Sequence, residues 1–218
     1  MKDLPFAARL FVGAVLIAGL LLLVLFGPRS IPNPILFAIL LGGSSLASAM
    51  KVSLPLATSG STMSVSYAVD FASLLLLGAN ETMLVAAVSA WSQCTFRTQT
   101  PSAPHRTLFS MASLVITVKA AGWAYDWLGG PPPGSAFSLI DIPKPLVGAA
   151  TMYFVCNTAL IASAIALSTK QRIGPVWNEN FLWSAPSYFV GAGAAALAIP
   201  SSIAGATGWR RSAWRPCT

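Results

Sequence analysis

Long apolar runs separated by short polar stretches dominate the chain, and they lie near 8–26, 34–50, 64–78, 81–96, 107–128, 146–168 and 187–207. The separators, among them "GPRSIPNP", "KVSLPLATSGST", "RTQTPSAPHR" and "LGGPPPGSAFSLIDIPKP", are rich in residues that stop helices. Lipid admits only helices and closed barrels as spanning structures, because every backbone polar group must be satisfied internally. The runs lack the two-residue alternation of a barrel strand. The pattern therefore predicts an all-α fold, a polytopic transmembrane helix bundle of about seven helical segments.

The third and fourth segments are predicted to be short. Runs of 15 and 16 residues rise only about 23 Å as helix, against a hydrocarbon core of about 30 Å. They read either as short spans or as a hairpin that dips in and returns. Between them Gly78 is expected to end one helix, and Asn80 and Glu81 to supply the N-cap and first-turn acid of the next.

Composition changes the picture by fixing the solvent. Of 218 residues 55% are hydrophobic and only 9% charged, with a mean hydropathy of +0.70, whereas soluble domains carry about 25% charged residues. The formal charge of +7 does not point to nucleic acid, since the basic residues stand singly between apolar runs rather than in a stripe. They read as topology signals. With the N-terminus in the cytoplasm, inside loops and ends hold Lys2, Arg9, Lys51, Arg97, Arg106, Lys170 and Arg172, and outside loops hold Arg29 and Lys144. A multi-pass protein of a bacterial inner membrane with a cytoplasmic N-terminus is expected. Arg210, Arg211 and Arg215 run against this count. Lys2 and Arg9 before an apolar core also suggest a signal peptide, but the core is longer than usual and Gly27-Pro28-Arg29 is a poor cleavage site, so the first segment is expected to be retained.

Small residues in "GGSSLASA", at Ala159 and Ser163, and in "GAGAAALA" at 191–198 are expected where helices touch. Trp123, Tyr125, Trp127, Trp177 and Trp183 sit near segment ends and fit an interfacial aromatic belt. Cys94, Cys156 and Cys217 have neither a metal-ligand nor a C-x-x-C spacing.

Catalytic chemistry has little to draw on. The one histidine, His105, falls in a Pro-rich loop, and no nucleotide-loop, zinc-protease or nucleophile-elbow motif occurs. No catalytic residue, cofactor or metal is expected. Asp70 and Lys119 are different, because an ionisable group inside a span is expensive and faces a bundle interior, a cavity or a partner. Asp126 follows Lys119 by seven residues on the same helical face and is a candidate water-linked partner. Three readings stand. In one, Asp70, Lys119, Tyr153 and Asn157 face a cavity that binds a small polar ligand or senses a change in the membrane; in another, Asp70 and Lys119 form an ion pair that joins two helices; in the third, the charges snorkel or lie where the bilayer is locally thin.

Three stretches, "SGSTMSVSYAVDFASLLLLGANETMLVAAVSAWSQCTFR", "HRTLFSMASLVITVKAAGWAYDWLGG" and "VWNENFLWSAPSYFVGAGAAALA", resemble the amino-terminal multi-span region of bacterial signalling proteins that carry HD-GYP or GGDEF output domains. The resemblance spans most of 34–198. It implies a non-enzymatic sensory or anchoring module, since no HD, G-Y-P or G-G-D-E-F element is present to carry cyclic-di-GMP chemistry. The short-helix, Leu-Gly, short-helix unit is also similar, more coarsely, to substrate-binding subunits of energy-coupling-factor transporters, which implies a small-molecule-binding subunit. The partners these resemblances imply are the lipid bilayer, a small polar ligand, and either a second copy or a separate output or energising subunit. Residues 1–208 are expected to form one transmembrane domain and 209–218 a short basic tail, either disordered or the mark of a truncated gene, which would make the chain a nonfunctional remnant.

Overall fold

The computed structural model describes residues 5–49, 51–53, 62–64, 66–96, 103–135 and 140–212. Among the expected features, Lys2, Arg97, Cys217 and residues 213–218 of the tail lie outside these.

The described residues form an all-α bundle of eight helices. In chain order these are α1 (Phe6–Phe26), α2 (Pro34–Ala49), α3 (Ser66–Leu76), α4 (Ala79–Thr95), α5 (Pro104–Trp127), α6 (Pro143–Thr169), α7 (Ile173–Asn180) and α8 (Ala185–Ser212). A single 3-10 turn, Leu182–Ser184, joins the last two. Proline sets several of the starts: α2, α5 and α6 each begin on one, where the missing N–H costs no intrahelical bond and the fixed φ suits the first turn. α1 stops before Gly27-Pro28, and α6 stops at Lys170, whose left-handed backbone (φ 56°) turns its N–H onto the carbonyl of Ala166.

Several boundaries differ from those expected. α7 lies in a stretch expected to be a loop, so eight helices replace seven segments. α3 is short at 11 residues, but α4 has 17, one more than α2. Asn80 is not an N-cap: Gly78 holds that position with φ 96°, and Asn80 is the second residue of the helix, while Glu81 does sit in its first turn. His105 belongs to the first turn of α5 rather than to a loop. α8 runs past the expected end at 207 to Ser212. Two three-residue strands, β1 (Lys51–Ser53) and β2 (Thr62–Ser64), pair antiparallel between α2 and α3, with Val52 opposite Met63.

Gly78 ends α3 and starts α4 at once. Its N–H reaches the carbonyls of Ser73 and Leu74, and Gly134 closes the next carbonyl, that of Leu75, at 3.0 Å. Both glycines have positive φ, which residues bearing a Cβ avoid. The proline-rich loop after α5 is thus the cap of α3. Because Gly78 and Ala79 lie beside Gly122, near the end of α5, and Ser66 and Gln93 lie beside Ser110, near its start, the α3–α4 hairpin traverses the bundle from end to end.

α5 is the central helix and α1 the peripheral one: half of the most apolar window of α5 is buried, against 17% for α1. α1 instead turns Leu10, Ile17, Leu20, Leu21, Val24 and Leu25 outward. Four stretches, Phe6–Phe26, Pro104–Trp127, Pro143–Thr169 and Ile173–Ile199, are long and apolar enough to cross a membrane. Glycine brings helices together at the contacts. A Cβ on Gly19 would lie 2.7 Å from that of Ala112, one on Gly122 2.4 Å from that of Ala79, and one on Gly191 2.3 Å from the Tyr67 ring. The expected small-residue contacts of α2 and α8 are present: Ser44 and Ser48 are fully buried, as are, nearly so, Ala192, Ala195 and Ala196. In α6 the buried small residues are Ala149, Ala150, Ala162 and Ala166, whereas Ala159 and Ser163 are only partly covered. The aromatic belt is also only partly as expected. Trp123, Trp127 and Trp183 are exposed, but Tyr125 is buried in the core, and Trp177 donates its indole N–H to Thr158.

Candidate functional site

The five candidate residues separate into two sites, Tyr153 and Asn157 at one cavity and Lys119 and Asp126 at another, and the expected Asp70–Lys119 ion pair does not form. Asp70 has other partners. Its carboxyl receives the Tyr153 hydroxyl at 2.8 Å on one oxygen and the Ser44 hydroxyl at 3.3 Å on the other. Those three residues come from α3, α6 and α2, so one carboxyl joins three helices. With Asp70 2% and Tyr153 3% exposed, no solvent competes for these bonds.

Tyr153 is also the wall between Asp70 and a cavity of about 170 Å³. Tyr67, Asn157 and Tyr188 share the cavity with it, and Gln93, Ser110 and Ser113 line its other side. The aromatic rings hold one another: Tyr67 and Tyr153 flank Tyr188, with ring centres 4.9 and 5.7 Å from it. Asn157 donates its amide N–H to the Tyr188 hydroxyl at 3.0 Å. Among the described residues the lining consists of hydroxyls, amides and apolar groups, without a charged side chain. Ser73, Ser113 and Thr117 are buried with hydroxyls that have no hydrogen-bond partner among the described residues, and of the three Ser113, 2% exposed, lines this cavity. A buried polar atom without a partner costs about 1–3 kcal/mol, so a hydroxyl left so at a cavity wall calls for something in the cavity to bond it.

Lys119 lies elsewhere, near the α3–α4 break. Its ammonium donates to the Asn80 side-chain carbonyl at 2.7 Å and sits 4.3 Å from the centre of the Phe26 ring and 5.5 Å from that of Trp123. An aromatic face stabilises a cation by about 0.5–2 kcal/mol, more when water is excluded, and Lys119 is 6% exposed. Asp126, Glu81 and Lys119 line one cavity of about 230 Å³, so the expected Lys119–Asp126 neighbourhood is present. The arrangement fastens the end of α1 to α4 and α5.

Sequence reasoning missed Ser44, Ser113, Tyr188 and Asn80. A signal existed for Ser113: Ser110, Ser113 and Thr117 follow one another at spacings of three and four, a polar stripe on one helical face. For Asn80 there was none, because the same residue suits an N-cap equally well. Among the described residues no three of His, Cys, Asp and Glu converge as a metal site would require.

No protein-family model matches this chain, nor does any curated protein or solved structure. The reading of the site therefore rests on its own geometry.

Proposed function

We propose that the chain is a non-enzymatic membrane module that binds a small, uncharged, polar molecule in the Tyr153–Asn157–Tyr188 cavity and signals its presence through helix arrangement. The observation that carries this is the unpartnered, buried Ser113 hydroxyl at the wall of a cavity otherwise lined by neutral hydrogen-bonding groups and aromatic rings. An uncharged ligand is favoured because an ion would meet no counter-charge among the described lining residues. Binding is favoured because the described lining offers hydroxyls, amides and aromatic rings suited to holding a neutral polar molecule. Signalling follows from Tyr153: a ligand that moves this ring acts on the carboxyl that ties α2, α3 and α6.

A bacterial inner-membrane location with the N-terminus in the cytoplasm is part of this proposal, supported by the excess of basic residues at the end of the bundle that holds Arg106, Lys170 and Arg172. It resembles the sensory regions that precede cyclic-di-GMP output domains, and would act on such a domain or on a separate subunit.

The test uses the full chain in detergent, screened by native mass spectrometry against uncharged nucleobases, nucleosides, sugars and amides. A retained adduct that is lost in Asn157→Leu and Ser113→Val, with the fold intact by circular dichroism, is the expected result. Adducts that persist in both variants, or none across the set, would refute the proposal. A purified chain that turns over cyclic dinucleotides would refute its non-enzymatic part.

A further inference from the structure

A third cavity, of about 440 Å³, is a groove between α1, α5 and α6 at the basic end of the bundle. Its apolar lining comprises the buried Val12 and Phe109, the partly buried Ala164 and the exposed Ile165. Its mouth holds His105, Arg106 and Thr169. Two further basic residues are near in sequence, Arg9 three residues before Val12 and Lys170 directly after Thr169, but neither lines the groove. The hydroxyls at the mouth cannot supply donors of their own, since Ser168 and Thr169 already donate to the carbonyls of Ala164 and Ile165 at 2.6 and 2.8 Å. Positive charge is thus what the mouth offers. α5 adds the positive end of its helix dipole beside Arg106, although the Arg106 and Thr107 N–H groups already bond the Ala103 carbonyl.

We propose that this groove seats one anionic phospholipid, its phosphate held by Arg106 and His105 and one acyl chain lying against Val12, Phe109 and Ala164. The pairing is chemical: an apolar channel requires a hydrocarbon occupant, and a cationic rim at its end requires an anionic head. A zwitterionic lipid satisfies the first and meets the second only weakly, and inorganic phosphate satisfies the second alone. The groove shares Ser110 and Ile161 with the Tyr153–Asn157 cavity, but His105, Arg106, Val12, Phe109 and Ala164 line the groove and not that cavity. Bound lipid would bridge α1, whose own contact with α6 is slight, to the rest of the bundle.

The experiment delipidates the full chain in mild detergent, adds phosphatidylglycerol or phosphatidylethanolamine at equal concentration, and counts retained lipid by native mass spectrometry. Wild type should retain phosphatidylglycerol severalfold over phosphatidylethanolamine. Arg106→Gln should cut that preference by about fivefold, the worth of one arginine near an anionic surface. Ala164→Phe, which fills the apolar channel and leaves the charges in place, should reduce retention of both lipids. Lys144→Gln at the opposite end should change neither. Equal retention of the two lipids by wild type would overturn the proposal, as would a phosphatidylglycerol preference that survives both Arg106→Gln and Ala164→Phe. Thermal stabilisation by inorganic phosphate equal to that by phosphatidylglycerol would also overturn it, because the site would then be one for a soluble anion. Should Arg106→Gln fail to fold, the wild-type lipid ratio and Ala164→Phe still decide the outcome.

Discussion

Replacing Tyr153 by Phe deletes a single oxygen, and its effect tests whether the Asp70 carboxyl is the tie between helices that the geometry indicates. The deletion removes the 2.8 Å bond to Asp70 and leaves the longer 3.3 Å bond from Ser44. Stranding a buried acceptor costs about 1–3 kcal/mol in soluble proteins. Inside membranes interhelical hydrogen bonds average only about 0.6 kcal/mol and reach about 1.7, because separated helices find other partners. Both residues are at most 3% exposed, which places this bond towards the upper end, and a loss of about 1–2 kcal/mol is expected for Tyr153→Phe. Asp70→Val should cost a similar amount, since it leaves the Tyr153 hydroxyl without an acceptor. The double variant strands neither group. Its cost should fall short of the sum by about 1 kcal/mol, a coupling well above the error of about 0.3–0.5 kcal/mol expected of independent sites. Equilibrium unfolding in mixed micelles, followed by tryptophan fluorescence, measures all four corners of this cycle. Simple additivity, or a Tyr153→Phe variant as stable as wild type, would refute the reasoning.

The same assay should find Asp70→Val and Lys119→Met additive within about 0.5 kcal/mol, because the two residues have separate partners; a large coupling would restore the ion pair that the structure lacks. Gly122→Val and Gly191→Leu should each destabilise by about 1–3 kcal/mol through overpacking, since even a Cβ at these positions would sit within 2.4 Å of Ala79 and 2.3 Å of Tyr67; melting temperatures equal to wild type would count against these helix contacts. In a background without the native cysteines, Asp141→Cys should react with an impermeant maleimide in intact cells, and Glu179→Cys only after permeabilisation. The reverse pattern would invert the proposed orientation.

The sequence alone determined the element type. Long apolar runs suited to crossing lipid leave their mark on composition and run length, which is why the helical bundle and the break at Gly78 were legible, whereas the starts of α5 and α6 at Pro104 and Pro143 lay three residues before the apolar runs read from the sequence. α7 was missed because an eight-residue amphipathic helix ending in "WNEN" carries no long apolar run, and the length of α4 was underestimated because Asn80 and Glu81 look like a boundary although helix includes them. Partner choice was decided by tertiary structure. Asp70 and Lys119 are opposite charges in apolar segments, and local sequence holds no information about their relative depth. That depth follows from the helix pairing: the α3–α4 hairpin carries Asp70 to Tyr153 and Ser44 partway along the bundle, and brings Asn80 rather than Asp70 level with Lys119. Ser113 shows the same limit. Its place on a polar stripe could be read from spacing, but that its hydroxyl would be left without a partner at a cavity wall depends on which side chains five other segments bring around it, a property of the packed bundle and not of any one helix.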